Sequence, residues 1–205
     1  MQGGRRLSAW CLLCALLAGC ATSPPSDPKN ICSIFREKDD WYEHASEARE
    51  EWGSPIPVMM AIMYQESRFQ AKAKPPRNKI FGFIPGPRPS DAYGYSQAKK
   101  STWKEYKRSA GRYGADRDDF EDAIDFIGWY NFQSHRRNGI PLNDTYRLYL
   151  AYHEGHGGYK RGSYRSKSWL GDVARKVQGR ANTYQSQLAG CEESLKDKGW
   201  FFGWF

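Results

Sequence analysis

Hydrophobic positions recur mostly every three to four residues along this chain. Between Glu37 and Trp52 the residues Trp41, Ala45, Ala48 and Trp52 share one side of a helix, charges fill the other, and Gly53 supplies a stop. A second helix follows Pro55 and Pro57 and runs from Val58 to Glu66; it is apolar nearly all round, which predicts burial. From Lys72 to Ser90 the density of Pro, Gly, Lys and Arg breaks both the helical and the strand period, so this stretch reads as a long basic loop. Loops of that length in compact domains often carry function. Thr102 to Ala110 predicts a short helix. Asp118 to Asn138 predicts a longer one, with Phe120, Ile124, Ile127 and Asn131 on one side and Gly139 and Pro141 ending it. Asn143 to His153 predicts another. The last spans Ser168 to Leu188, where Leu170, Val173, Ala174, Val177, Ala181, Tyr184 and Leu188 form a stripe. Six helical segments, long loops and no convincing alternating strand predict a mainly α fold in one domain, with small hairpins in the loops left open.

The ends of the chain do not fit that pattern. Arg5 and Arg6 precede an apolar run from Leu7 to Ala18, too short for a stable membrane span, and small residues then lead to Cys20. Leu17-Ala18-Gly19-Cys20 resembles the lipobox of bacterial lipoproteins, which implies a signal peptide over 1–19 and lipidation of Cys20. The other reading is an ordinary cleaved signal with an incidental cysteine. Residues 20–30, with Pro and Ser prominent, read as a flexible tether, and 31–205 as the folded domain. With Cys11 and Cys14 lost and Cys20 acylated, Cys32 and Cys191 remain. In an oxidising compartment they are expected to pair, although two buried thiols stay open.

Loss of Arg5 and Arg6 from 31 basic residues leaves 29 against 23 acidic ones, a net charge near +6 that favours anionic partners. Export argues against nucleic acid and leaves wall carboxylates or anionic lipid. The chain closes on Trp200-Phe-Phe-Gly-Trp-Phe205, five aromatics in six residues. This tail is expected to pack on the body, with a partner or the lipid interface as the other destinations.

The candidate chemistry sits on the second helix. Met59, Ile62 and Met63 mark its buried stripe, and the next positions of that stripe are Glu66 and Phe69. Burial disfavours an ionised carboxyl and raises its pKa, which suits a general acid acting on a glycosidic oxygen. Position alone leaves a second reading open, in which the helix has ended and Glu66 is solvated or paired with Arg68. The neighbouring residues favour the first. Met60-Ala-Ile-Met-Tyr-Gln-Glu66-Ser67-Arg-Phe69 resembles the helix of the lytic transglycosylase family, in which Glu-Ser followed by Phe closes the catalytic helix. Ala92-Tyr-Gly94-Tyr95-Ser96-Gln97 is similar to that family's Gly-Leu-Met-Gln stretch, and Ala151-Tyr152-His153-Glu154-Gly155 to its Ala-Tyr-Asn-x-Gly stretch.

The three stretches keep the family's order and bracket about residues 55 to 185. The resemblance implies a lysozyme-like domain that cuts peptidoglycan between N-acetylmuramic acid and N-acetylglucosamine, leaving 1,6-anhydro ends without metal or organic cofactor. It makes Glu66 the acid and later the base, has Ser67 help position substrate, and lines the cleft with Gln97 and Tyr152, the latter hydrogen-bonding near Glu66. Tyr93 and Tyr95 are further candidates for sugar contact, with core packing the other reading.

This sequence departs from the family pattern twice. About 28 residues separate Glu66 from Gly94, longer than is usual, and Lys72, Lys74, Arg77, Lys79 and Arg88 of that insert are expected either to meet stem-peptide carboxylates or to serve only solubility. His153-Glu154 replaces Asn and a small residue. Glu154 as a second carboxylate would make the enzyme a hydrolysing muramidase, and a non-catalytic wall-binding or assembly lipoprotein is the remaining alternative. His153 and His156 invite a zinc site, but the glycines at 155, 157 and 158 disfavour a regular ligand pair. The lipobox resemblance, with Ala after Cys20, implies a lipid anchor on the periplasmic face of the outer membrane. Glycan strands are the expected partner, and an envelope protein partner is left open.

Overall fold

The computed structural model describes residues 23–196. The predicted signal segment, Cys20 and the aromatic tail lie outside them. The chain forms helices α1 (Ile31–Glu37), α2 (Trp41–Trp52), α3 (Ile56–Ser67), α4 (Lys100–Ser109), α5 (Phe120–Asn138), α6 (Thr145–Arg161) and α7 (Ser168–Ala189). A 3-10 turn at Ser163–Ser166 joins α6 to α7, and a small hairpin, β1 (Lys79–Ile80) with β2 (Ile84–Pro85), stands in the long loop before α4. The fold is mainly α, as the periodicity predicts.

Helix α3 is the centre of the molecule. Met59, Met60, Ala61, Ile62 and Met63 are all 0 % exposed, so five consecutive positions, spanning every side of the helix, are sealed. Helices α2, α5 and α7 pack against it, and α6 closes over α5 and α7. Pro57 sits in the first turn of α3, where its missing N–H costs nothing. Aromatic rings fill the space between α2 and α5: Trp41 stacks on Phe120 with centroids 3.8 Å apart.

A buried carboxylate ties three helices together. Asp125 on α5 accepts hydrogen bonds from Trp52 Nε1 on α2 (2.6 Å) and from the Tyr106 hydroxyl on α4, and Arg112 Nε lies 3.3 Å away. With those donors present the charge is compensated, as burial requires.

Three boundaries differ from the sequence reading. The helix expected over 37–52 begins only at Trp41, and a separate α1 precedes it, capped by the Asn30 side chain accepting from the N–H groups of Cys32 and Ser33. Seven residues are too few for periodicity to register, although Ile31, Ile34 and Phe35 are buried. The stretch expected as a flexible tether is docked on the body from residue 23 onward. Ser26 donates from both N and Oγ to the Glu37 carboxylate (2.8 and 2.6 Å), Pro25 is buried, and α7 donates from the Tyr184 hydroxyl to Pro28 O and from Gln187 Nε2 to Lys29 O. Composition correctly finds little to bury there, but the segment is held mostly through its backbone polar groups instead. The third difference is α6, which continues past His153 to Arg161 across a break at Gly155.

Cys32 and Cys191 form a disulfide, with Cα atoms 6.1 Å apart, that clamps α1 to the far end of α7 over a separation of 159 residues. Replacing both cysteines by serine is expected to lower unfolding free energy by about 3–5 kcal/mol, because so long a loop strongly restricts the unfolded chain. Urea denaturation of the two proteins measures the difference.

Candidate active site

The last turn of α3 carries Glu66 to the surface of the core. Its C-cap is unusual: Arg68 (φ 52°) and Phe69 (φ 61°) are consecutive non-glycine residues in the left-handed region. Burial of Phe69 holds this turn. The ring is 0 % exposed and contacts Trp41 and Tyr64 at centroid distances of 5.7 and 5.8 Å. The helix therefore stops at Ser67, one residue beyond Glu66, and Glu66 is left facing a cleft of about 430 Å³, within the range of small-ligand sites.

Glu66 keeps partial exposure to the cleft, yet protein surrounds the carboxyl closely enough to raise its pKa to about 7. Desolvation of the charged form is the main cause, and a hydrogen bond with the Tyr149 side chain opposes it. Tyr149 lies on α6 and is 4 % exposed; burial, and then the charge of Glu66, push its phenol well upward. It is the nearest functional partner of Glu66, and the sequence motifs did not include it. It stands three residues before Tyr152, on the same side of α6, and that spacing was the available signal.

Tyr152 lines the cleft, and its hydroxyl donates to Ser96 O (2.6 Å) instead of bonding to Glu66. It thereby joins α6 to the 94–97 turn, which brings in Gln97. That turn depends on Gly94, at φ +79°, where an added Cβ would lie 1.8 Å from Arg117 O. Gly94 N donates to Ala73 O (3.0 Å) and Tyr95 N to Arg117 O (3.1 Å). Gln97, itself at φ 50°, lines the cleft and donates through Nε2 to Ala73 O (3.0 Å) and Gly94 O (2.8 Å).

His153 and Glu154 also line the cleft. The Glu154 side chain is only 3 % exposed and is held by Lys167 Nζ (2.6 Å), His153 Nδ1 (3.0 Å) and the Ser163 hydroxyl. Burial alone would raise its pKa, but the bonds from Lys167, Ser163 and His153 outweigh that and hold it at about 2. Gly155 follows at φ 74°, ψ 156°, a conformation open essentially to glycine alone, and breaks α6; beyond the left-handed cap at Gly162 the segment carrying Ser163 and Lys167 lies against Glu154. His153 also meets the edge of Trp169, a half-exposed ring beside the cleft that the sequence reading passed over. His156 turns elsewhere, stacking on Tyr130 at 4.3 Å, so the two histidines do not share partners.

Three expected contacts fall outside this cleft. Ser67 is buried and its Oγ donates to Met63 O (3.2 Å) within its own helix. Tyr93 donates to Asp118 (3.0 Å) with Lys74 and Arg117 over its ring, and lines a different groove. Tyr95, 2 % exposed, packs edge-on against Trp41 and Phe120. Tyr95 is thereby corrected from a sugar contact to core packing, and Tyr93 stands in a groove apart from Glu66.

A mainly helical, lysozyme-like domain with one proton-holding carboxyl at the end of a buried helix defines a class of peptidoglycan-acting proteins. The family model for the transglycosylase SLT domain matches residues 8–191, and the chain belongs to that family. Its substrate class is the peptidoglycan glycan strand. No curated protein matches the chain closely enough to stand beside it as a relative.

The raised Glu66 pKa has a stability consequence. Below about pH 4.5 both folded and unfolded chains hold the proton; as pH rises through 7 the unfolded chain has already released it, so stability falls over that interval and levels off above it. Glu66→Gln is therefore expected to gain on the wild type as pH rises from 4.5 to 8, by up to about 2–3 kcal/mol once partial solvent screening is allowed for. Denaturant titrations of both proteins at pH 4.5 and 8 check this.

Proposed function

We propose that the protein is a lytic transglycosylase that cleaves the β-1,4 bond between N-acetylmuramic acid and N-acetylglucosamine and leaves 1,6-anhydro-muramyl ends. The observation that carries the reading is the contrast between the two carboxyls of the cleft: Glu66 retains its proton near neutral pH, while Glu154 is ionised and engaged by three donors. In this mechanism Glu66 gives its proton to the glycosidic oxygen as the bond to the muramyl anomeric carbon breaks. The carboxylate so formed takes the proton of the muramyl 6-hydroxyl while that oxygen bonds to the same carbon, which closes the anhydro ring and returns Glu66 to its acid form. A nucleophile already within the substrate acts at high effective concentration, so no second carboxylate is needed.

The hydrolytic alternative needs Glu154 to activate water. A carboxylate with a pKa near 2, held by Lys167, is a weak base for that task. Mass analysis of ends released from purified sacculi separates the readings: anhydro ends support the proposal, reducing ends the muramidase, and no release the non-catalytic wall-binding protein. Glu66→Gln should lower release by about a thousandfold or more, since it removes both proton transfers.

The rate should fall as pH rises through about 7, where Glu66 loses its proton. Tyr149→Phe, which deletes the bond that favours the ionised form, should move that limb to higher pH, as pH–rate profiles of the two proteins would register.

The amino terminus belongs to the same proposal: Cys20 is acylated and anchors the protein to the periplasmic face of the outer membrane, on the strength of Leu17-Ala18-Gly19-Cys20. Incorporation of labelled palmitate into the wild type, and its loss in Cys20→Ser, is the expected result.

A further inference from the structure

Among the described residues, four of the six exposed large hydrophobic side chains crowd one hairpin tip: Ile80 (44 % exposed), Phe81 (85 %), Phe83 (76 %) and Ile84 (44 %). The glycan chemistry proposed above makes no use of them. The tip is a defined structure. Ile80 pairs with Ile84, Gly86 N donates to Asn78 O (2.6 Å), Asn78 N donates to Pro87 O (3.1 Å), and Arg77 Nη1 donates to Gly86 O (3.3 Å). Phe81 (φ 52°) and Gly82 (φ +81°) make the reversal that points the two phenylalanines outward. An apolar cluster held in water in this way marks an interaction surface.

The surroundings of the tip identify its partner. No acidic residue occurs from Ser67 to Ser90, while Lys72, Lys74, Arg77, Lys79 and Arg88 do, all exposed. Among the described residues none of these five cations forms an ion pair; Arg77 and Arg88 reach only backbone carbonyls, of Gly86 and Pro75. An apolar tip with Arg77 and Lys79 in its own hairpin, on a loop whose other cations have no acidic partner and whose Lys74 lies over the Tyr93 ring, complements an anionic bilayer, where the rings enter the boundary of headgroups and acyl chains and the cations stay at the phosphates. Phenylalanine and isoleucine cannot bond sugar hydroxyls, which disfavours a glycan platform.

We propose that the β1–β2 hairpin is a membrane-insertion element that takes an anionic lipid surface through Phe81 and Phe83. Pro75 and Ser90, which flank the loop, line the cleft, so insertion of the tip holds the cleft beside the bilayer. This contact is separate from any acyl chain on Cys20 and from the chemistry of Glu66.

The test uses the full chain carrying Cys20→Ser, which excludes acylation, in co-sedimentation with vesicles of phosphatidylglycerol and phosphatidylcholine or of phosphatidylcholine alone. The protein is expected to bind the anionic vesicles, less so as salt rises, and to bind neutral ones weakly. Phe81→Ser with Phe83→Ser should lower the bound fraction about tenfold, and Arg77→Glu with Lys79→Glu should do likewise on anionic vesicles only. Circular dichroism and release from sacculi should be unchanged in the phenylalanine variant, which separates failure of this proposal from failure of the catalytic one. Vesicle binding that survives the phenylalanine substitutions, or no vesicle binding by the parent, overturns the proposal. So does a parent that is dimeric through the tip and binds no vesicle, since a second copy is then the occupant.

Discussion

Everything in this molecule depends on a carboxyl placed at the end of a helix whose body, from Ile56 to Met63, is sealed from water. From Ile56 to Met63 helix α3 has no polar face to turn outward, so α2, α5 and α7 must enclose it, and that enclosure positions Glu66. The same desolvation that makes the fold compact there keeps the proton on the acid. Destabilisation at one residue is the condition for chemistry at it, and the large apolar surface of Met59 to Met63 offsets the loss.

The cleft separates the properties of two residues of one type. Glu66 has one neutral hydroxyl bonded to it, from Tyr149, and desolvation prevails; Glu154 has a cation and two further donors, and they prevail over desolvation. Neighbours, more than depth, set which carboxyl carries a proton. The left-handed cap at Gly162 and the 3-10 turn after it matter here, together with the break at Gly155, because over this short span of chain Lys167 returns to Glu154. A continuous straight helix would carry that lysine away along its axis.

The sequence was most legible where burial follows a period. The extents of α3, α5 and α7 and the placing of Glu66 on a buried stripe were readable because a helix repeats its environment every few residues. Irregular backbone was not readable in that way. Tyr93 and Tyr95 alternate along an extended turn, and only its tertiary fixing shows that Tyr95 enters the core and Tyr93 turns to Asp118. Tyr149 escaped because motif reading centres on Tyr152, while the folded structure bonds Tyr149 to the acid and turns the Tyr152 hydroxyl to Ser96 O. The docked segment after residue 23 escaped because most of its anchoring bonds are made by backbone groups, which leave no mark in composition, with Ser26 Oγ and Pro25 adding side-chain contacts.

The amide of Gly94 reaches the carbonyl of Ala73 at 3.0 Å, so the chain leaves the domain at one point and re-enters beside it. An excursion whose ends are already joined adds little closure entropy when it is lengthened or shortened, because that term grows only with the logarithm of loop length. The twenty or so residues in between thus form an interchangeable attachment on a fixed base: a designer can swap its reach and its target while the turn that presents Gln97 stays put.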